Sequence, residues 1–450
     1  MIMKLQHFFF VLCISLAACT NDDEVVDFAS TFKSEQSGQS IRSLDEAIQI
    51  AQSAACMVKG NTTRLSIDRS VDLGDIHVVK NLITRNATEG FNSDTLMYVI
   101  NYTDGGFAVV SANPDVEGLL AVTEEGHYTG EAESGVEGFD DFMMLAKLYS
   151  SASREGDRAQ HPHSHKDTLD IQHGPFLEVK WGQRNYPGMY CPNGVSGCVP
   201  LAIAQIFSFF KHPASISLTY PERDADSLTL NWNDICKHKL FYEVNGLESS
   251  LYCSASPTAH VALGKLCRQI GYALNSIYYS YTDPSLNKTG TPTNTADFVD
   301  AIEQFGYGCT ANLNYTVGTA REMIDLFNRP FMMAGQRLIN NEDSTYSLAT
   351  HAWVVDGYMD RVITTIDTAY YVPELIPPGS LPYVISITES HRYYTHINWG
   401  WNGRNNGYYV EDVFATNRYI QLDSNPYTPI DSIHNYHYNI KYFDIDVDVP

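Results

Sequence analysis

The chain has 450 residues, of which 44% are hydrophobic and 18% are charged, so its composition is that of a folded protein rather than a disordered one. Its formal net charge of −24 at pH 7 argues against binding to nucleic acid or to anionic lipid, because both are recognised through Lys and Arg. A chain of this length is expected to fold as two or three units.

The N-terminus has the pattern of an export signal. A short basic start precedes an apolar stretch, Phe8 to Ala18, that is too short to span a bilayer and is followed directly by Cys19. This pattern resembles a bacterial lipoprotein signal. We therefore expect residues 1–18 to be a signal peptide, Cys19 to carry the lipid, and the mature protein to be an outer-membrane lipoprotein of the cell envelope or extracellular. A plain secretory signal with an incidental cysteine is the alternative.

The residues after a polar leash, 21–39, show the pattern of a first folded unit. Ser43 followed three positions later by Glu46 is a capping box, which predicts that a helix begins there. Two apolar runs, 96–102 and 106–112, flank an Asp-Gly turn and predict a β-hairpin. The next predicted element is a helix over residues 142–149.

A polar stretch rich in Arg, His and Ser, from Ser150 to Asp170, predicts a boundary between two units. It contains the run His161-Pro162-His163-Ser164-His165, which could hold a metal ion but which we interpret as solvated linker. The remaining residues, 171–450, are enough for a substantial core. Their patterns predict helices first and strands later, so the expected fold class is α+β.

Cys198 is the first candidate for chemistry, because it stands between Gly197 and an apolar run with helical spacing. Pro200 is tolerated only in the first turn of a helix, so the helix is predicted to begin at Cys198 or Val199. The thiol would then lie at the positive end of the helix dipole, which favours the thiolate. A cysteine that only fills the core is the alternative.

A catalytic thiolate needs a base, and the base needs an orienting group. His351 opens an apolar run that predicts a buried strand, in which an imidazole requires a partner. Asn398 is expected on a neighbouring strand and is the preferred orienting group, because Asp356 would point to the opposite face of the strand from His351. His396 ranks second to His351 as the base. A satisfied core or surface histidine is the alternative for His351.

Two further side chains complete the candidate site. Gln183 could donate its amide to an oxyanion beside the backbone N–H of Cys198. Trp399 could cover a hydrogen bond between His351 and Asn398 from water. Taken alone, Gln183 would be an ordinary loop residue and Trp399 ordinary core packing. The chain order Gln, Cys, His, Asn favours one shared site, because papain-like proteases also place the nucleophile first and the other two groups far downstream.

The chain has nine cysteines, of which Cys13 and Cys19 lie in the export segment, so seven are left for the mature fold. Because seven is odd, at least one thiol has no disulfide partner within the chain. No pair of cysteines has the spacing typical of a zinc site.

Several ordered motifs resemble the streptopain family of bacterial cysteine proteases. They are Trp181-Gly182-Gln183, Tyr190-Cys191-Pro192, Gly197-Cys198-Val199 with the run Ala202 to Ile206, the run His351 to Tyr358, and Asn398-Trp399-Gly400-Trp401. The run Gly106 to Ala112 and the later Glu125-Gly126 resemble the propeptide of that family. The resemblance therefore covers nearly the whole mature chain.

The resemblance implies a papain-like α+β fold of two subdomains behind an N-terminal α+β prodomain. It implies roles for the five candidate residues: Cys198 as nucleophile, His351 as general base and then acid, Asn398 as orienting group, Gln183 in the oxyanion hole and Trp399 as shield. The expected domains are the signal peptide (1–18), a leash and inhibitory propeptide (19–165), and the catalytic domain (166–450).

The resemblance also implies how such an enzyme works. The propeptide would keep it inactive until the chain is cut, and the stretch from Ser150 to Asp170 is the expected place. Substrates would be proteins or peptides with an apolar side chain two residues before the scissile bond. No metal or organic cofactor is needed, and no nucleic-acid partner is expected.

The sequence departs from the family at three places. Pro200-Leu201 and Asn402 stand where small residues or Gly are usual, and Thr350 replaces the Gly before the histidine. These departures bear on substrate preference more than on reaction type.

Two other functions stay open. One is an acyltransferase or cell-wall amidase in which Asp356 orients the histidine. The other is a catalytically silent surface lipoprotein or protease inhibitor.

Overall fold

The structure is a computed structural model, and it describes residues 41–58, 73–80, 95–130, 134–151, 164–239, 243–244, 247–248, 253–279, 290–293, 297–340, 346–370, 383–414 and 440–447. The predicted signal peptide, Cys19, His161 and His163 lie outside these residues. The chain divides into two compact units, Met1–Gly38 and Gln39–Pro450, and the described residues all belong to the second.

Helices and strands alternate in long blocks along this second unit. The helices are α1 (Leu44–Val58), α2 (Glu137–Ser151), α3 (Cys198–Phe210), α4 (Trp232–Ile235), α5 (Pro257–Ala273), α6 (Phe298–Glu303), α7 (Thr319–Phe327) and α8 (Glu411–Phe414). The strands are β1 (Leu73–Lys80), β2 (Thr95–Tyr102), β3 (Phe107–Ser111), β4 (Leu119–Thr123), β5 (Ser164–His173), β6 (Ser215–Ser217), β7 (Ser227–Thr229), β8 (Glu243–Val244), β9 (Leu247–Glu248), β10 (Tyr307–Asn314), β11 (Phe331–Asn340), β12 (Tyr346–Tyr370), β13 (Tyr383–Asn398), β14 (Gly407–Val410) and β15 (Lys441–Val447).

Helices packed on a large antiparallel sheet confirm the predicted α+β class. Among the described residues, every helix falls short of the length and apolarity needed to cross a bilayer.

The first helix forms where its capping box predicts. The backbone N–H of Glu46 donates to Oγ of Ser43 (3.2 Å), and the backbone N–H of Ser43 donates to Oε2 of Glu46 (2.8 Å). These reciprocal bonds satisfy backbone groups at the start of α1 that the helix itself leaves open. The predicted second helix also forms, and as α2 it begins earlier, at Glu137.

One sheet of eleven strands joins the two ends of the described chain, in the order β1-β2-β3-β4-β14-β13-β12-β11-β15-β10, with β5 paired to β12. The predicted hairpin is β2 and β3, whose register places Asn101 opposite Phe107. Strand β4 pairs with β14, with Thr123 opposite Gly407 and Ala121 opposite Tyr409. The described residues between 41 and 151, called the N-terminal segment below, are therefore hydrogen-bonded directly to the later strands.

The prediction of a solvated linker up to Asp170 is wrong in its last part. Residues from Ser164 form β5, which pairs antiparallel with β12 along its whole length. Polar residues can form such a strand because pairing satisfies the backbone while the side chains stay at the surface. Arg361 fastens the pair through two bonds to the carboxylate of Asp170, of 2.8 and 3.0 Å.

Alternate residues of β12 face two separate cores. Trp353 and Val355 lie in the core that also contains α2 and much of the N-terminal segment. Ala352 and Val354 lie in the core formed by α3 and α5. Because side chains on a strand point to opposite faces in turn, the residue at 351 lies on the same face as Trp353.

Candidate active site

Helix α3 begins at Cys198, as the position of Pro200 predicts. Gly197 caps it with φ at 90°, a conformation that favours glycine, and a Cβ at this position would lie 2.9 Å from the carbonyl oxygen of Thr291. The thiol of Cys198 is partly exposed. It therefore lies at the positive end of a 13-residue helix, where the dipole favours an anion.

Gln183 lies beside the turn that precedes this thiol. Its carbonyl oxygen accepts from the backbone N–H of Ser196 (2.8 Å) and from Oγ of Ser196 (3.2 Å). The side chain of Gln183 is half-buried. The structure thus brings Gln183 close to the start of α3, although a loop-rich stretch of the sequence separates them.

His351 lies on the predicted strand and is almost completely buried, with 2% of its surface exposed. Its Nε2 donates to the carbonyl oxygen of Trp399 at 3.2 Å, so the neutral ring carries its lone pair on Nδ1. Burial lowers the pKa of His351 to about 4, although the bond to Trp399 opposes the shift. The imidazole is therefore neutral at physiological pH.

Aromatic rings and α2 enclose the imidazole of His351. The rings of Trp353 and Trp399 lie nearly parallel to it, with centroids 6.1 and 6.4 Å away. Gly138 of α2 lies against the same group, because a Cβ there would be 2.3 Å from Cε3 of Trp399 and 2.8 Å from Cδ2 of His351. Only a glycine lets the helix approach this closely. The N-terminal segment thus covers the predicted base.

Cys198 and His351 pack against different cores of the protein. Gly400, two residues beyond the end of β13, lies against Leu201 of α3, since a Cβ at Gly400 would be 2.9 Å from Cδ2 of Leu201. Cys198 is one turn nearer the start of α3 and packs against the α3 core, whereas His351 lies on the α2 face. The sulfur and the imidazole are thus packed among different side chains.

Asn398 ends β13 opposite Val354, on the neighbouring strand where the orienting group is predicted. Its Nδ2 donates to the carbonyl oxygen of Val179 (2.9 Å) and to Oε1 of Gln205 (3.1 Å). Its Oδ1 accepts from the backbone N–H of Gly400 (3.1 Å). Asn398 is thus held rigidly on the α3 side of the sheet.

Gln205 is a positioning residue that the sequence analysis did not identify. It is 1% exposed, and its Oε1 accepts from the backbone N–H of Trp181 (3.1 Å) as well as from Asn398. One amide thereby links α3, the segment that carries Gln183, and β13. The available signal was a glutamine two turns after Cys198 in an otherwise apolar helix.

Asp356 and the second-ranked histidine, His396, pair with each other. Nδ1 of His396 donates to Oδ1 of Asp356 (2.6 Å), and Oδ2 of Asp356 accepts from the backbone N–H of Leu177 (3.0 Å). Burial alone would lower the pKa of His396, but the carboxylates of Asp356 and Glu124 raise it to about 9. His396 is therefore protonated at neutral pH and unsuited to be a general base.

Glu124 of the N-terminal segment extends this charged group. It accepts from Nζ of Lys180 (2.6 Å) and lies 3.4 Å from Nε2 of His396. Burial would raise the pKa of Glu124, yet the two cations lower it to about 2. The sequence analysis did not identify Glu124, which directly precedes the Glu125-Gly126 motif. A buried ion-pair network thus links the N-terminal segment to the strands of the site.

Two departures from the family pattern have a local explanation. Asn402 adopts a left-handed conformation with φ at 54°, which asparagine tolerates better than other non-glycine residues. Pro200 lies in the first turn of α3, where its missing N–H breaks no helical bond. The side chain of Thr350 lies outside the described part of the structure.

All seven cysteines from Cys56 onward lie in described residues, and none of them forms a disulfide.

A protein-family model agrees with the motifs. The sequence model of the peptidase C10 family matches residues 181–409, just over half of the chain. A solved fragment of prointerpain A from Prevotella intermedia is similar over 74% of this chain and 94% of that fragment, with 20% identity and a TM-score of 0.43. None of the curated proteins matches. The chain therefore belongs to the peptidase C10 family, the streptopain family of cysteine peptidases.

Proposed function

We propose that the chain is the zymogen of an exported cysteine endopeptidase, with Cys198 as the nucleophile and His351 as the general base. Membership of the family makes it a cysteine-type peptidase. The observation that carries the assignment is the position of Cys198 as the first residue of α3, partly exposed and two residues after Ser196, whose backbone N–H donates to the carbonyl oxygen of Gln183. Of the seven cysteines from Cys56 onward, Cys198 is the one at the start of a long helix, and we propose that the side-chain amide of Gln183 is the neighbouring donor.

In the active form, Nδ1 of His351 takes the proton of the Cys198 thiol, and the thiolate attacks the carbonyl carbon of the scissile bond. The oxyanion accepts hydrogen bonds from the backbone N–H of Cys198 and from the amide of Gln183. The imidazolium then protonates the leaving amine, and His351 activates the water that hydrolyses the thioester. Oδ1 of Asn398 accepts from Nε2–H of His351, and Trp399 covers that bond.

The N-terminal segment inhibits this reaction by holding the imidazole away from the sulfur. Gly138 and Trp399 enclose His351 on the α2 face, and its Nε2–H is engaged by the Trp399 carbonyl. Activation therefore needs α2 to leave, which frees the imidazole to reach Cys198. A cut after the end of α2 at Ser151 and no later than Lys166, near the start of β5, would allow this, and it lies inside the predicted stretch 150–170.

Release also separates the N-terminal segment from its other attachments. The ladder between β4 and β14 must open, and Glu124 must part from Lys180 and His396. These non-covalent contacts can keep the N-terminal segment bound, although no covalent bond holds it near the site. We propose residues 19–165 as the inhibitory propeptide and 166–450 as the catalytic domain.

The substrates we propose are proteins, and the proposed location is the cell envelope or the medium, with Cys19 as the lipidated residue. The signal pattern of the first 18 residues supports export. Incorporation of labelled fatty acid into the full chain, lost in a Cys19→Ser variant, tests the anchor.

The activity is tested by incubating the purified full chain with casein. The wild type is expected to process itself and then degrade casein, whereas Cys198→Ala stays intact and inactive. Cys309→Ala is the matched control, because Cys309 is also a partly buried thiol but lies on β10. Casein degradation by Cys198→Ala at the wild-type rate would overturn the proposal.

A further inference from the structure

We propose that His238, Cys253 and His260 form a buried binding site for a transition-metal ion, and that Zn²⁺ is the ion it takes. This cluster is separate from the candidate active site, and the inference does not rest on the proposed function. Two imidazole nitrogens and one sulfur are the donors that Zn²⁺ prefers.

The sulfur and nitrogen donor atoms are separated by nearly the distances found between the ligand atoms of a bound zinc ion. Sγ of Cys253 is 3.0 Å from Nδ1 of His238 and 3.1 Å from Nε2 of His260. All three atoms lie within 4.8 Å of one another. In a tetrahedral zinc site, bonds of about 2.3 Å to sulfur and about 2.0 Å to nitrogen place these atoms about 3.6 Å apart. The two sulfur-to-nitrogen distances need to lengthen by only about half an ångström to admit the ion.

The surroundings hold the ligands in place. His238 and Cys253 are joined by an antiparallel backbone bridge, and His260 lies in the first turn of α5. The ring of Tyr186 stacks on His260 at 3.7 Å with an interplanar angle of 9° and meets the edge of His238 at 5.3 Å. Fixed ring orientations of this kind are what a metal site needs from the residues around it.

The cluster is nearly closed to solvent, with exposures of 1% for His238 and 8% each for Cys253 and His260. A cavity of about 240 Å³ borders the cluster at Cys253, and its other lining residues include Cys236, three lysines (Lys211, Lys237 and Lys239) and Glu178. This cavity can supply the fourth ligand as water or as an anion. With one thiolate and two neutral imidazoles, bound Zn²⁺ leaves a net positive charge that an anion would neutralise.

The ion would brace the segment that carries Gln183. Nε1 of Trp181 donates to the carbonyl oxygen of His238 (2.5 Å), and Tyr186, three residues after Gln183, stacks on His260. The role we assign to the metal is therefore structural, because its ligands contact the segment that precedes the nucleophile. The spacing His238, Cys253, His260 matches no common zinc motif, so tertiary structure alone reveals the site.

The test uses the full chain with Cys198→Ala, which removes self-processing and the one reactive thiol proposed above. Metal content after dialysis against Zn²⁺ and then buffer is expected to be about one ion per chain. Cys253→Ser and, separately, His260→Gln are expected to lower it at least about tenfold, in proteins that keep the parental circular dichroism. Cys236→Ser is the matched control, because Cys236 is equally buried and lines the same cavity.

Two further readouts do not depend on activity. Co²⁺ in place of Zn²⁺ is expected to give a sulfur-to-cobalt absorption band that Cys236→Ser keeps and Cys253→Ser loses. Removal of the ion by a chelator is expected to lower the unfolding midpoint by several degrees, and Zn²⁺ to restore it.

Three outcomes would overturn the proposal. They are a folded chain that retains less than about one tenth of an ion, equal metal content in Cys253→Ser and its parent, and loss of the ion in Cys236→Ser. A site that depends on Cys253 but retains only copper would overturn the assignment of zinc.

Discussion

Replacement of Gly138 by alanine is expected to weaken the cover over the predicted base and to accelerate activation. The added methyl carbon would lie 2.3 Å from Cε3 and Cζ3 of Trp399 and 2.8 Å from Cδ2 of His351. Atoms cannot remain this close, so either α2 or the two buried rings must move. The rings are confined by Trp353 and Tyr409, which leaves α2 as the part that gives way.

The size of the effect follows from two opposing terms. Alanine is more favourable than glycine within a helix by about 1 kcal/mol. Overpacking a well-filled core costs about 1–3 kcal/mol, and because two rings are affected here the cost falls in the upper part of this range, about 2–3 kcal/mol. The net loss is about 1–2 kcal/mol in the packing of α2, which raises the fraction of chains with α2 detached about 5- to 30-fold.

The assay follows conversion of the full chain to the mature form by gel electrophoresis, with the rate compared between Gly138→Ala and the wild type. Gly74→Ala is the matched control, because Gly74 also lies in the N-terminal segment but a Cβ there would come no nearer to a neighbouring atom than 3.4 Å, the distance to the carbonyl oxygen of Asn101. Equal conversion rates for Gly138→Ala and wild type would refute the view that contact with α2 restrains His351.

Three further predictions concern the charged and polar groups. Because the pKa of buried His351 is lowered to about 4, the closed zymogen loses stability as pH falls below 6.5, and the loss is about 2 kcal/mol at pH 5. Hydrogen exchange in α2 should therefore rise on acidification of the wild type but not of His351→Asn. Because the pKa of His396 is raised to about 9, the contribution of His396 to stability is complete below pH 6.5 and is lost as pH rises through 9. Glu124→Gln should lower the unfolding midpoint at pH 7 and reduce the loss of stability at alkaline pH. Asn398→Ala should lower kcat about tenfold or more. Asp356→Asn should lower the unfolding midpoint and keep kcat within about threefold of the wild type. The reverse pattern would favour an amidase that uses Asp356.

The sequence predicts those features that local chemistry determines. The capping box at Ser43 gives the start of α1, and Pro200 gives the start of α3. Alternating and apolar runs give the hairpin and the two neighbouring strands that carry His351 and Asn398. In each case the signal lies within a few residues of the element that it specifies.

Features that depend on packing between distant segments were not predictable in this way. Periodicity shows that His351 and Trp353 share a face, but not that α2 covers that face. Strand β5 was missed because its polar residues gain their order from backbone pairing with β12, which leaves no apolar pattern. The contact of Glu124 with Lys180 and His396 likewise joins residues that no local rule relates.

The central claim is that the Cys198 thiol becomes reactive when the imidazole of His351 reaches it. The most direct measurement is labelling with a thiol-reactive epoxide inhibitor, with the modified residue identified by peptide mass spectrometry, before and after removal of the N-terminal segment. The proposal predicts labelling of Cys198 alone after removal, little before it, and at least about a hundredfold slower labelling in His351→Ala. Labelling at an equal rate in His351→Ala, or only at another cysteine, would contradict it.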